Sequence, residues 1–176
     1  MRLFLGTFLD NQFLKNIPFE EIKEIFGDDI KKIKIENTHI TWLFLGNVES
    51  DRLNNLIEII ELHKEIFHGV TFSSRSLEYW PPRKSSRLII LAGILNKNPD
   101  LVRLVAPIQN HICNPSFRED FLPHVTVARF KQDRTVNKKI TLPGVTYFNW
   151  EINEIALIKS TLTSNGSVYE KIRIWN

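Results

Sequence analysis

Hydrophobic positions along the chain switch repeatedly between a spacing of two and a spacing of about 3.6, which predicts strands and helices interleaved in one α and β chain. Residues 2–9 read as a first strand. A short helix follows, with Pro18 early and Gly27 at its end, expected to bury Phe19, Ile22, Ile25 and Phe26. Residues 38–45 alternate again as a strand. Ser50 stands where it would cap a helix running to about residue 67, with Leu53, Leu56, Ile57 and Ile60 on one face. Strands are expected near residues 70–77 and 87–95, joined by a turn-rich segment over 81–86. Asn98-Pro99 opens a third helix carrying Leu101, Leu104, Val105 and Ile108, which Pro107 is expected to kink or interrupt. Further strands are expected over 124–130, 150–160 and 167–175, the last two joined at the turn Asn165-Gly166.

The element order contains an approximate repeat. Two strands carry His-x-Thr, as His39-Ile40-Thr41 and as His124-Val125-Thr126, and each has a helix near it in the chain. That pairing suggests two lobes related by an approximate two-fold axis. No Gly- or Ser-rich linker divides them, so residues 1–176 are expected to form a single domain.

Composition narrows the class. With 176 residues, 43% hydrophobic and 24% charged, the chain is that of an ordinary globular protein able to fold without a staple. The longest uncharged apolar run, residues 88–95, is far short of the roughly 18 needed for a membrane span. The N-terminus reads as a strand and lacks the pattern of a signal peptide. A lone cysteine, Cys113, fits a reducing cytosol, so a cytoplasmic location is expected and Asn165-Gly166-Ser167 is read as a turn and not a glycan site. Net charge is only +3, but residues 71–140 hold twelve basic and five acidic side chains, 12 − 5 = +7, against −4 elsewhere. A basic middle suggests an anionic partner docking on one side.

Side chains two apart on a strand share a face, so each His-x-Thr presents an imidazole and a hydroxyl together while Ile40, Trp42 and Phe44, or Val125 and Val127, are expected to point to a core. Histidine titrates near neutral pH and can act as general acid or general base. Two related strands facing one another across a cleft would set an acid and a base on opposite sides of a reacting centre, with the Thr41 and Thr126 hydroxyls as hydrogen-bond donors beside them. The other histidines, His63, His68 and His111, read as helix C-terminal cations.

These motifs, the opening Met1-Arg2-Leu3-Phe4-Leu5-Gly6, Arg87-Leu88-Ile89-Ile90-Leu91-Ala92-Gly93, and Ile158-Lys159-Ser160-Thr161-Leu162 leading to Gly166-Ser167-Val168-Tyr169-Glu170 resemble the 2H phosphoesterases over essentially the whole chain. Within them the chain is most similar to the bacterial and archaeal RNA 2′,3′-cyclic phosphodiesterases, also called 2′-5′ RNA ligases. The resemblance implies an α+β fold of two pseudo-symmetric lobes, each an antiparallel sheet with helices packed outside, around a central cleft lined by the two His-x-Thr strands. It implies hydrolysis of RNA 2′,3′-cyclic phosphate termini to 2′-phosphates without metal or other cofactor, His39 as the acid and His124 as the base. The residues alone are symmetric and assign neither role. Arg129 matches the family's basic position in the second motif and would grip phosphate bidentately. Strict alternation puts it on the face opposite His124, so a bulge or the strand's end would have to re-aim it. Phe44 holds the same place in the first motif, for packing or for stacking on a base. Tyr169 and Trp80 are further stacking candidates.

The expected partner is RNA bearing a 2′,3′-cyclic phosphate end, met by a monomer with no membrane association. Rival readings are 2′-5′ ligation, hydrolysis of another small cyclic phosphodiester, a non-catalytic RNA-binding module, and a metal hydrolase. Against the last, the chain lacks His-Glu-x-x-His, paired cysteines and any tight His/Asp cluster.

Overall fold

In the computed structural model of the chain, the described residues are 1–81, 86–97, 99–109, 122–134, 148–164 and 166–176. The strands are β1 (Arg2–Phe8), β2 (Ile30–Lys32), β3 (His39–Asn47), β4 (Thr71–Trp80), β5 (Ser86–Leu95), β6 (His124–Arg134), β7 (Asn149–Glu151), β8 (Ile155–Thr163) and β9 (Gly166–Trp175). The helices are α1 (Asn11–Leu14), α2 (Phe19–Phe26), α3 (Leu53–His63) and α4 (Leu101–Gln109).

All strand pairs are antiparallel, in the order β7-β4-β5-β6-β3-β1-β8-β9, with β2 added on β6. Four strands lie on each side of the β6/β3 seam, β6-β5-β4-β7 in one lobe and β3-β1-β8-β9 in the other, and the antiparallel pairing of β3 with β6 relates the two motif strands by a local two-fold axis. That seam is narrow: Ile40 opposite Val125 is its one bridging pair among the described residues. Beyond it the strands part, and β2 takes the freed edge of β6 at Ala128, Arg129 and Phe130.

One face of the sheet is covered by helices. Phe13 and Leu14 of α1, Ile22 and Phe26 of α2, Leu56, Ile59 and Ile60 of α3, and Leu101, Leu104, Val105 and Ile108 of α4 join Leu3, Leu5, Leu43, Ile89, Leu91, Val125 and Leu157 in one buried cluster spanning both lobes. Trp42 Nε1 donates to Thr7 Oγ1 at 2.7 Å, and Thr7 donates on to the Glu154 carbonyl, so the indole is buried without an orphaned donor. The opposite face carries the motif histidines.

Several local expectations need correction. Ile25 is 51% exposed: the buried stripe of α2 runs through Phe19, Ile22 and Phe26, and Ile25 lies about 100° round the helix from Phe26. Ser50 does not cap α3, because Ser50–Arg52 forms a separate 3₁₀ turn and moves the start of the α-helix to Leu53. A second 3₁₀ turn, Lys64–Phe67, replaces the expected helical end. Pro107 does not interrupt α4, which continues to Gln109. The segment 150–160 is two strands, not one. β7 closes one lobe against β4, residues 152–154 cross over, and β8 enters the other lobe beside β1. The crossing is pinned by the Ile152 amide on the Val70 carbonyl and by Thr7 on the Glu154 carbonyl. α1, capped by the Asp10 carboxylate on the Phe13 amide, and β2 were not foreseen. The loop at 82–85, Asn98, His111, Cys113 and Asn165 lie outside the described residues.

Candidate active site

The two motif strands are built alike residue by residue. In β3, His39 and Thr41 are half-buried, Ile40 buried, Trp42 and Leu43 both buried, Phe44 exposed and Leu45 buried. In β6 the same sequence of environments runs through His124, Val125, Thr126, Val127, Ala128, Arg129 and Phe130. The two consecutive buried residues mark a one-residue bulge in each strand. On β3, Thr41 faces Gly6 and Leu43 faces Leu5, leaving Trp42 extra. On β6, Thr126 faces Ile90 and Ala128 faces Ile89, leaving Val127 extra. A bulge moves the alternation by one residue. It turns Phe44 to the face of His39 and Thr41, so Phe44 is exposed and does not point into the core as strict alternation predicts, and it turns Arg129 to the face of His124 and Thr126.

Both imidazoles are held in one way. His39 Nδ1 lies 2.7 Å from the Asn37 carbonyl, and His124 Nδ1 lies 2.7 Å from the Leu122 carbonyl. A carbonyl only accepts, so each Nδ1 carries the proton and each Nε2 is left for a substrate. Burial lowers both pKa values below the ordinary 6.5, opposed in each case by the carbonyl that holds Nδ1. The charge of His124 lowers His39 further, so the two rings sense each other. The Thr41 and Thr126 hydroxyls have no hydrogen-bond partner among the described residues, whereas Thr7 and Thr38 spend theirs on backbone carbonyls.

The surroundings differ between lobes. His39 is ringed by Phe4 at 5.0 Å, Tyr169 edge-on at 5.0 Å and Phe8 at 5.7 Å between ring centroids. Gly6, opposite Thr41, makes room for this: a Cβ there would meet Phe4 Cε2 and the Ile40 carbonyl at 2.9 Å. Phe4, Ala156 and Ile158 form a small buried cluster under this wall, with Phe8 and Tyr169 packed on it. Phe44 stands 50% exposed beside it, 6.3 Å from Phe4. His124 instead stacks on Trp80 at 5.5 Å and 29°. Arg129 is exposed and forms no ion pair among the described residues. The carbonyl anchors and the ring wall escaped sequence reasoning, although Tyr169 and Trp80 were named as stacking candidates.

Residues outside the motifs take ordinary roles. His63 closes α3 by donating to the Ile59 carbonyl at 2.8 Å, and His68 pairs with Glu65 at 2.7 Å. Of the basic middle, Lys97 donates to the His68 carbonyl and Arg103 pairs with Asp100, away from the motifs. Arg83, Lys84, Arg118, Lys138 and Lys139 lie outside the described residues, as do Glu119 and Asp120. Among the described residues no three His, Cys, Asp or Glu side chains gather as metal ligands, and no helix is long and apolar enough to cross a membrane.

The chain is 32% identical over 186 residues to the RNA 2′,3′-cyclic phosphodiesterase of Methanocaldococcus jannaschii, covering 99% of this chain and 100% of that protein. It is 32% identical to the protein of the same name from Aquifex aeolicus, covering 96% and 93%. It is 27% identical to that from Archaeoglobus fulgidus, covering 99% of each. Among solved structures, TT0787 of Thermus thermophilus has the same fold, with a TM-score of 0.77 at 20% identity over 99% of this chain and 97% of that one. Escherichia coli LigT complexed with 3′-AMP follows at a TM-score of 0.71 and 20% identity, covering 99% and 96%. No family model matches the chain.

Proposed function

Because this chain belongs to the RNA 2′,3′-cyclic phosphodiesterases of the 2H phosphoesterase type, we propose that it opens the cyclic phosphate at an RNA end to a 2′-phosphate, with His39 and His124 as its proton-transfer pair. His124 Nε2 takes a proton from water as the oxygen attacks phosphorus. The bond from phosphorus to the 3′-oxygen breaks, and His39 Nε2–H gives that oxygen its proton. The products are a 2′-phosphomonoester and a 3′-hydroxyl. Thr41, Thr126 and Arg129 donate to the non-bridging oxygens, supplying the stabilisation of developing charge that in-line phosphoryl transfer needs.

The observation that carries this reading is the antiparallel pair Ile40–Val125, the one pair joining β3 to β6 among the described residues. It sits midway between the histidine and threonine of each motif, so the axis relating the two motif strands sets His39 and His124 on opposite sides of one point. Pairing by carbonyls at 2.7 Å aims both Nε2 atoms from their strands in the same manner. The assignment of His39 as the acid follows the family resemblance.

The test is incubation of the protein with an RNA oligonucleotide ending in a 2′,3′-cyclic phosphate, followed by identification of the terminal phosphate. A 2′-phosphate end is expected. An unchanged end, or a 3′-phosphate, would overturn the reaction as written.

A further inference from the structure

Directly paired residues on neighbouring strands project to one face of a sheet. On the second lobe Ser76 pairs with Ala92, which pairs with His124; Glu78 pairs with Ile90, which pairs with Thr126; Trp80 pairs with Leu88, which pairs with Arg129. Ser76, Glu78 and Trp80 therefore form a column on β4, parallel to the column His124, Thr126 and Arg129 and two strand spacings away, about 9.6 Å. Between them Ala92 and Ile90 are buried beneath the flanking side chains and Leu88 is half-buried. The Trp80 ring, in register with Arg129, reaches diagonally to stack on His124, so both columns share one surface.

A carboxylate on a surface built to receive phosphate works against the anion unless it serves a donor. Ser76 Oγ donates to Glu78 Oε1 at 2.8 Å and holds the carboxylate in place. Glu78 forms no ion pair among the described residues and is half-buried, so its Oε2 remains available. In an RNA end closed as a 2′,3′-cyclic phosphate, the terminal ribose has no free hydroxyl, because both are esterified to phosphorus and the 5′-oxygen carries the chain. The donors left on that nucleotide are those of its base. Guanine presents N1–H and N2–H side by side, which a carboxylate accepts together. Adenine and cytosine offer one amino group beside a ring-nitrogen acceptor, and uracil sets its single imino group between two carbonyls.

We infer that Glu78, steadied by Ser76, is a base-reading acceptor that favours guanine in the nucleotide carrying the cyclic phosphate. This rests on the proposed reaction for the seat of the phosphate on the His124, Thr126 and Arg129 column. One nucleoside spans the two columns, its phosphate on β6 and its Watson–Crick edge at β4. Single-stranded RNA is commonly read in this way, by hydrogen bonds to an exposed base edge.

The test measures binding by calorimetry of the four nucleoside 2′,3′-cyclic phosphates to His39→Ala protein, in which turnover is expected to be slowed at least about 10²-fold. Guanosine is expected to bind roughly 5- to 100-fold more tightly than uridine, the range of one bidentate base contact. Adding Glu78→Gln, or Glu78→Ala as a second variant, should bring that ratio close to one in protein whose circular dichroism is unchanged. Equal binding of all four in the Glu78 protein, or a guanosine preference that survives both folded variants, would overturn the inference. Wild-type turnover is measured in parallel: no turnover of any of the four would defeat the proposed reaction, while the order of binding would still decide the role of Glu78.

Discussion

Phe44 and Arg129 occupy the same position in two strands related by the axis between Ile40 and Val125, each three residues past its threonine and each turned to the histidine face by a one-residue bulge. The backbone is symmetric there and the chemistry is not. One lobe offers an exposed ring beside Phe4, the other a guanidinium. In the proposed reaction the equivalent positions divide the substrate between them, stacking on one side and charge on the other.

Replacing each should therefore separate two kinds of binding. Arg129→Ala is expected to raise KM by about 10- to 100-fold, the effect of losing a hydrogen-bonded charge on phosphate, and to weaken inhibition by inorganic phosphate in parallel. Arg129→Lys should recover only part, because an ammonium cannot form the two-pronged contact. Phe44→Ala should raise KM for an oligonucleotide by roughly 5- to 100-fold through lost stacking, yet leave phosphate inhibition unchanged. Phosphate inhibition that is the same in wild type and Arg129→Ala would remove Arg129 from the site.

Each motif histidine should be indispensable and neither should be structural. His39→Ala and His124→Ala are expected to cost at least about 10²-fold in kcat, as loss of a general acid or base does. The double variant should be little worse than either single one, since the two act in one step. Thermal melts should stay near wild type, because the main buried cluster lies on the other sheet face. Activity should persist in excess EDTA; loss of activity there, restored by one divalent metal, would replace the two-histidine mechanism with a metal-assisted one.

How much of this was written in the sequence depends on the range of the interaction concerned. Alternation through His39, Thr41, His124 and Thr126 is local, and it placed both motifs on strands with the right faces inward. The two-lobed arrangement followed from the duplication. The bulges at Trp42 and Val127 were inferable only as a need, from the mismatch between Arg129 and strict alternation. The strand break at residues 152–154 left a trace in the phase slip between the buried Ile152 and Ile155, but the hydrophobic run over 150–160 concealed it. Carbonyl anchors for the imidazoles carry no side-chain signature at all, since any residue provides a carbonyl. Ser76 and Glu78 join the cleft face only through the registers of β4, β5 and β6, which are long-range.

Asn37 is expected to act as a positioning residue for His39. Its carbonyl accepts the His39 Nδ1–H at 2.7 Å, while its side-chain amide donates to the Ser167 carbonyl on β9 at 3.2 Å, two residues from Tyr169. The peptide that aims the imidazole is thus tied to the strand that supplies its aromatic wall. Asn37→Ala should lower kcat about fivefold, the size of one neutral hydrogen bond, with little change in KM. The Asn37 carbonyl raises the pKa of His39, so loosening it should move one limb of the pH profile to lower pH. Asn37→Asp loses the tether but brings a negative charge near the ring, and should move that limb upward. Both variants shifting the limb the same way, or neither shifting it, would reduce Asn37 to a structural role.

The pH dependence follows from the burial of both imidazoles. His39 and His124 are each lowered from 6.5, chiefly by desolvation, and a charge on His124 lowers His39 further. Catalysis needs one ring protonated and one neutral. In the free enzyme near neutrality both are mostly neutral, so the singly protonated form grows as pH falls below 6.5 and is lost when the second proton adds. The profile of kcat/KM should be bell-shaped with its maximum on the acid side of 6.5, its limbs belonging to the pair and not to one residue each. A bound phosphodiester brings negative charge to both rings, so the kcat profile should lie at higher pH than that of kcat/KM. Stability carries the matching sign. With folded-state pKa values below the unfolded one, the unfolded chain binds more protons between them, so this contribution is full above 6.5 and declines as pH falls towards the folded values. Denaturant melts from about pH 8 to about pH 5 should show wild type losing stability relative to the His39→Ala, His124→Ala double variant, a difference that isolates the pair from the carboxylates. A kcat/KM maximum on the alkaline side of 6.5, or a stability difference that grows in favour of wild type on acidification, would mean that the folded protein holds these imidazoles charged.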